Sequence, residues 1–348
     1  MGDTAPIRPE ERFDEARVAA HLRRHLGDLV GDEPIEFAQF PGGKANLTFV
    51  ARAGDTELVL RRPPLGPVAP GSHDMAREHS VLSVLHGAFH LAPQAYHYCA
   101  DSEVMGKPFF VMERRHGRVV REHWPDDVPG GAESRRGVAE ELVDALGALH
   151  QVDFEALGLS GLGRPDGFVG RQLEGWTDRW DKARHDEVPA MERLAGRLRD
   201  ELPAPQRSVI LHNDFKLDNV MLGLDAHLVA IFDWDMSTLG DPLVDLGTML
   251  AYWAGPDDPI FPLLASQSVS LADVMSHAEI IDRYSGATGL DLGSIRWYTA
   301  MARFRIAVIL QQIYIRFVRG QTTDDRFAPL GAIVPPLAEG GLSLLEDG

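Results

Sequence analysis

The 348-residue chain is long enough for one large domain or two lobes sharing a cleft. With 52 acidic residues against 34 basic ones its formal charge is −18, the wrong sign for a nucleic-acid surface, and its basic clusters are short pairs such as Arg61-Arg62 and Arg114-Arg115. A lone cysteine, Cys99, excludes an intrachain disulfide and a cysteine-based zinc cluster; no apolar run approaches the roughly 18 residues of a membrane span, and "MGDTAPIRPEERF" has no apolar signal core, so a cytoplasmic protein is expected.

Residues 1–10 read as a loose tail. "FDEARVAAHLRRHL" carries Phe13, Val18, Leu22 and Leu26 at helical spacing and predicts a leading helix. "IEFAQF", "LTFVARA" and "ELVLR" follow as three short strands, joined by the turn formers "PGGKAN" and "GD", which makes a hairpin region and not a βαβ unit. "SHDMAREHSVLSVLH" predicts a helix capped by Ser72 or Asp74. "FFVME" at 109–113 reads as a buried strand, and 119–132, rich in Pro and Gly, as a loop. Helices dominate from about 133, where Val138, Leu142, Ala145 and Leu149 form one apolar face. "LPAPQRS" at 202–208 interrupts them. Beyond 250 the longest candidate helix is "SIRWYTAMARFRIAVILQQIYIRFVRG", whose aromatic stripe reads as core. The residues from "QTTDDRF" onward, with their Pro and Gly clusters, are expected over the surface. The layout is a strand-rich part, residues 1–115, and a larger helical part, 116–348.

The polarity concentrates in "LHNDFKLDNV" at 211–220 and in "LVAIFDWD" at 228–235. Asp214 and Asn219 lie in a loop after the apolar "SVIL"; Asp233 follows an apolar strand. If "VMLG" and "LVAIF" form a hairpin, Asn219 and Asp233 emerge at the same end of it. Mg²⁺ is held by one or two protein oxygens together with water and substrate phosphates. A carboxylate beside it can take the proton of an attacking hydroxyl. Asp as base, with Asn and a second Asp on metal, is the requirement of phosphoryl transfer. Gly42-Gly43 in the first turn adds backbone amides able to approach a phosphate closely.

"HNDFKLDN", "IFDWD" and "LGDPLVDLG" resemble the signature of the aminoglycoside phosphotransferase and choline kinase superfamily, in particular the branch that includes the kinase-like domain fused to some acyl-CoA dehydrogenases. The resemblance runs over roughly 35–250, with 250–320 in the place of the variable helical substrate region. It implies an α+β, protein-kinase-like bilobal fold with an antiparallel-sheet N-lobe and a mainly helical C-lobe. It also implies ATP as co-substrate, Mg²⁺, and a small molecule phosphorylated on a hydroxyl. Residue by residue, it implies Asp214 as catalytic base, Asn219 and Asp233 as metal ligands, His212 as organiser of the loop, and Lys216 as a contact to the transferred phosphate. It further implies Gly42, Gly43 and Asn46 in the phosphate loop, Arg61 in the place of the usual lysine with Glu78 as its partner, and Met112, Glu113 and Arg114 as the hinge whose backbone reads the adenine. Asp241 and Asp245 are expected to cap a helix and anchor the catalytic loop. Two other readings stand beside this one. A nucleotide-binding module with degenerate catalysis is favoured by Arg61. A protein Ser/Thr kinase is favoured by Lys216 and opposed by the short "WDMSTLGDPLVD". The sequence does not name the acceptor or the oligomeric state.

Overall fold

Apolar residues at 18, 22, 26 and 30 put one stripe along a helix, and the computed structural model of the chain forms it as α1 (Glu15–Val30), with Asp14 capping the N-terminus by accepting from Arg17 N at 3.0 Å. The structure describes residues 3–41, 46–66, 74–121, 123–258, 261 and 269–346. These fall into two compact units, residues 1–116 with 229–237, and residues 117–228 with 238–348. The segment 229–237, which carries Asp233, therefore folds with the first unit, whereas the sequence reading assigned it to the second.

The first unit is built on a five-stranded antiparallel sheet of β1 (Ile35–Gln39), β2 (Leu47–Ala53), β3 (Thr56–Arg62), β4 (Ala95–Cys99) and β5 (Phe109–Glu113), in the order β1-β2-β3-β5-β4. Phe49, Leu60 and Phe109 project from one face onto Val18 and Leu22 of α1, and all five are fully buried. Each such side chain contributes about 1.5–3 kcal/mol of burial. The opposite face receives α2 (Met75–Leu85), capped by Asp74 through Arg77 N at 3.0 Å; Ser72 lies outside the described residues. The short helix α3 (Ser102–Met105) follows β4.

The second unit begins with β6 (Arg118–Val119) and α4 (Ala132–Leu149), on which Val138, Leu142, Ala145 and Leu149 are buried as the spacing requires. Helices α5 (Phe168–Ala183) and α6 (Pro189–Asp200) lead to β7 (Val209–Leu211), and β8 (Val220–Leu222) pairs antiparallel with β6. A tight turn closed by Gly223 N to His227 O at 2.8 Å reverses the chain into β9 (Leu228–Ile231). After the excursion into the first unit, β10 (Thr238–Gly240) returns to pair with β7, Ile210 opposite Leu239. Then come α7 (Leu243–Tyr252), α8 (His277–Thr288), the 24-residue α9 (Ile295–Val318) and α10 (Val334–Glu346). Helix α9 is the axis of this unit, in contact with α5, α6, α7 and α10.

The C-terminal stretch departs from expectation twice. Asp325–Glu346 is long and apolar enough to cross a membrane by length and composition, contrary to the reading of no such run. It is also no surface strap. A 3-10 segment through Ile333 gives way to α10, whose Val334, Leu337 and Ala338 are fully buried.

Candidate active site

Alternation along β3 sends Arg61 and Arg62 to opposite faces of the sheet. Arg62 turns toward α1, stacks on Phe13 and Phe49 with its guanidinium 5.6 and 5.2 Å from their ring centres, and donates to the Glu11 and Met105 carbonyls. Arg61 turns toward α2. Its Nε lies 3.2 Å from Glu78 Oε2, and its Nη2 donates to Asp233 Oδ1. Glu78 is 1% exposed, and burial pushes its carboxyl up to about 7, Arg61 opposing and Asp233 adding to the rise. Burial works against the Arg61 charge as well, but Glu78 and Asp233 outweigh it and hold the guanidinium above its ordinary value. The structure thus gives Arg61 two carboxylates, where the sequence suggested Glu78 alone.

Asp233 sits at the end of β9 with φ +71°, a left-handed conformation that an Asp tolerates better than most side chains. The backbone around it is pinned. Ile231 N bonds to Leu91 O at 2.8 Å, Trp234 Nε1 donates to Ile231 O at 2.8 Å, and Arg77 Nε donates to Ser237 O at 2.9 Å. Trp234 is fully buried, with its ring 6.0 Å from that of Phe89.

Of the other residues assigned to the nucleotide, Gly42 and Gly43 lie outside the described residues, and Asn46 is buried at the start of β2. Met112 is buried in β5. The hinge side chains are committed elsewhere: Glu113 accepts from Gln94 N at 3.1 Å and pairs with Arg115 at 2.8 Å. Arg114 binds Asp3 at 2.8 Å and Glu57 at 3.2 Å and lies over Phe40. The backbone is partly committed as well: Glu113 N donates to Gln94 O at 2.8 Å, and Met112 and Glu113 stand in register with Val59 and Leu58 of β3.

In the second unit the polar loop hangs on one carboxylate. Asp245, fully buried on the first turn of α7, accepts from His212 N and Asn213 N, both at 2.7 Å, and lies 3.3 Å from His150 Nε2. This grip holds Asn213 at φ +65° and fixes the exit of β7, so Asp214 leaves the strand in a set direction. Asp241 accepts from Leu243 N and Gln206 N, each at 2.9 Å, at the start of the same helix. Both aspartates act as expected. His212 is buried, and its Nδ1 lies 3.3 Å from Asp214 N, so it braces the loop from inside.

Asp214 itself is partly exposed and flanked on both oxygens. Lys216 Nζ lies 3.0 Å from Oδ1. Asn219 Nδ2 donates to Oδ2 at 3.0 Å and to the Asp214 carbonyl at 2.8 Å, which turns the Asn219 side-chain oxygen away from Asp214. Lys216 also stands over the Tyr252 ring, 5.1 Å from its centre. Burial disfavours its charge, but Asp214 and Tyr252 more than compensate and raise the ammonium above its usual range, so it stays charged.

Beside this loop a cleft in the second unit is lined by Gln172, Trp176, Asn213, Thr248, Tyr298 and Arg305, among others. Arg305 donates to Asn213 O at 2.7 Å and stacks on Trp176 at 5.6 Å. The aromatic stripe of α9 therefore divides. Trp297 and Arg303 are structural, bonded to Leu198 O and Asp258, while Tyr298 and Arg305 face the cleft. Sequence reading missed His150 and Tyr284 altogether. His150 Nδ1 lies 2.6 Å from Tyr284 Oη, in a buried network that continues to Asp245. The partners are 95 and 134 residues away from it, and no local signal announces them.

Known proteins resemble the chain over most of its length. Residues 36–274 match the model of the family described as phosphotransferase enzyme family. Acyl-CoA dehydrogenase family member 11 of Pongo abelii is 31% identical over 98% of the chain, which spans only 44% of that relative's length. A crystal structure from Ralstonia eutropha JMP134, described as that of a candidate aminoglycoside phosphotransferase, is 29% identical and superposes with a TM-score of 0.80, covering 97% of this chain and 99% of that one. At 16% identity, an aminoglycoside phosphotransferase solved with ADP and hygromycin B shares the fold alone, with a TM-score of 0.57 over 94% of this chain and 98% of its own. The fold is the kinase-like, two-lobed α+β one, and the chain belongs to the phosphotransferase enzyme family, as kin to the domain carried by acyl-CoA dehydrogenase family members.

Proposed function

We propose that the protein transfers the γ-phosphoryl group of ATP to the hydroxyl of a small molecule, in a Mg²⁺-dependent reaction in the cytoplasm. The observation that carries this reading is the Asp214 loop. One carboxylate stands at the mouth of a strand, held by the Asp245 grip on the two preceding amides and flanked by a lysine and an asparagine. Asp214 orients the acceptor hydroxyl and takes its proton as the oxygen attacks. Lys216 places a permanent positive charge beside it, where negative charge spreads onto the transferring group.

The donors proposed for metal fit Mg²⁺. In the second unit Asn219 presents an amide oxygen, because its nitrogen is spent on Asp214, and in the first unit Asp233 presents a carboxylate; each by itself is a hard oxygen ligand. Held by donors of this kind, Mg²⁺ would supply charge neutralisation for the phosphate oxygens. Arg61 replaces the usual phosphate-contacting lysine with a bidentate cation, and Glu78 holds it in place. The cleft of Trp176, Tyr298 and Arg305 is the proposed seat of the acceptor. Its single charged side chain is cationic, so the overall negative charge of the chain does not by itself select an amino sugar.

A second reading, a nucleotide-binding module without turnover, is favoured by one contact: Arg61 occupies a carboxylate oxygen of Asp233, the proposed metal ligand. ATP turnover with Mg²⁺ over cationic, neutral and anionic hydroxyl compounds, run beside Asp214→Ala, separates the two. Turnover stimulated by an acceptor and lost in Asp214→Ala supports the kinase. Nucleotide binding that ignores Mg²⁺, with no stimulated turnover, supports the module.

A further inference from the structure

Outside the site above, three imidazoles converge at one edge of the first unit. His21 and His25 are four residues apart on α1 and so share one face of the helix. His97 comes from β4, the outer strand of the sheet, just past an irregularity between Ala95 and His97 where the register with β5 shifts. Such a bulge re-aims the side chain that follows it. The three side chains each offer one ring nitrogen, and these nitrogens lie within 4.8 Å of one another; His21 Nε2 and His97 Nε2 are 2.9 Å apart. The ring centres are 4.4 Å apart for His21 and His25, 4.5 Å for His25 and His97, and 5.1 Å for His21 and His97. No carboxylate or thiol joins the group among the described residues.

We infer that His21, His25 and His97 form a binding site for a divalent transition metal, Zn²⁺ first, which fastens α1 to the edge strand β4. The spacing argues for it. Zinc binds imidazole nitrogens at about 2.0–2.1 Å in tetrahedral geometry, which sets ligand nitrogens roughly 3.3 Å apart. The His21–His97 separation is just below that value, and the widest separation exceeds it by a distance that turning the exposed His25 ring closes. A hydrogen bond between two imidazoles would use His21 and His97 alone and gives no reason for the His25 ring to lie against both, stacked on His97 and tilted to His21. An all-nitrogen donor set selects Zn²⁺, Cu²⁺ or Ni²⁺ over the oxygen-seeking Mg²⁺, so the site is chemically separate from the one proposed for phosphoryl transfer. His25 is exposed while His21 and His97 are half-buried, which leaves the fourth ligand position on the solvent side for water.

The test is Zn²⁺ titration of tag-free, chelator-stripped protein by calorimetry, with metal analysis after dialysis, on the wild type, His25→Gln and His97→Gln. One zinc per chain is expected, with affinity falling at least tenfold in His25→Gln and a hundredfold in His97→Gln. Zn²⁺ should raise the melting temperature of the wild type clearly more than that of either variant at the same concentration. Since His25 is exposed on a helix face, His25→Gln keeps the fold and serves as the decisive variant if His97→Gln is unstable. Co²⁺ in place of Zn²⁺ should give visible absorption typical of a low-coordinate nitrogen site in the wild type and not in His25→Gln. No zinc retained by the wild type, or equal affinity in the wild type and His25→Gln, overturns the proposal.

Discussion

Replacing Arg61 by Met should destabilise the first unit in a strongly pH-dependent way. Arg61 Nε is 3.2 Å from a Glu78 carboxylate that is almost wholly buried. At an effective dielectric constant of about 20 such a separation is worth roughly 5 kcal/mol of attraction, an upper bound on what the pair can lose. Glu78 has a cheaper way out, because it can take up a proton. Burial already lifts its carboxyl from 4.5 to about 7 with Arg61 in place. Without the guanidinium it rises further. Below pH 7 Glu78 is therefore protonated in both proteins, and its lost partner costs little. Above pH 7 the wild type releases the proton while the folded variant keeps it. The folded variant then binds more protons than the folded wild type, so its relative stability falls by as much as about 1.4 kcal/mol per pH unit. Above pH 7 the gap should widen steadily with pH until the Glu78 carboxyl of the variant ionises in turn. Urea midpoints read by circular dichroism at each pH measure it, with Glu78→Gln and the double variant as controls. The difference between the double variant and Glu78→Gln should be flat with pH. A gap between Arg61→Met and wild type that is constant with pH, or that widens toward acid, refutes the reasoning.

Three further outcomes follow from the same geometry. Asp245→Asn retains the shape but offers one acceptor oxygen in place of two, orphaning a buried N–H of His212 or Asn213 at about 1–3 kcal/mol; a lower melting temperature together with a drop in kcat is expected, and an unchanged kcat would mean that the grip does not position Asp214. Lys216→Met removes the cation beside Asp214, and kcat should fall on the order of 10²-fold with nucleotide affinity nearly unchanged, as stopped-flow turnover and nucleotide titration will show; an equal loss in affinity would place Lys216 in ground-state binding. Gly247→Ala introduces a Cβ 2.6 Å from the Tyr298 carbonyl carbon where α7 crosses α9. The clash, about 1–3 kcal/mol, should exceed the gain of up to about 1 kcal/mol in helix propensity, so a raised melting temperature would show that α9 yields there.

What could be read from the sequence follows from where the controlling interactions lie along the chain. The loop that joins Asp214 to Asn219 was legible because these polar side chains stand a few residues apart after an apolar strand, and the turn at Asp233 because an apolar strand precedes it. Asp245 was legible for its anchoring role, since it lies in the same motif. The His150–Tyr284 support of Asp245 was not, because a lone histidine carries no periodicity and its partner is 134 residues away. Arg61 was legible as a departure from lysine, but its sharing between two carboxylates depends on segment 229–237 folding with the first unit, which local pattern cannot reveal.

The C-terminal stretch failed for a different reason: its Pro and Gly residues were read as breakers. Pro335 and Pro336 fall in the first turn of α10, where a missing N–H costs nothing, so they begin the helix and do not end it. Gly341 faces α6, where an added Cβ would lie 2.7 Å from Leu194 Cδ2, and Gly340 faces α9, where one would collide with the Arg303 guanidinium. These glycines are there for close approach, not for a turn. The same Arg303 pairs with Asp258, so α10 packs over that ion pair. Composition records that small residues are present; only the packing shows that smallness is what lets α10 close on α6 and on α9, the helix that carries Tyr298 and Arg305 to the cleft.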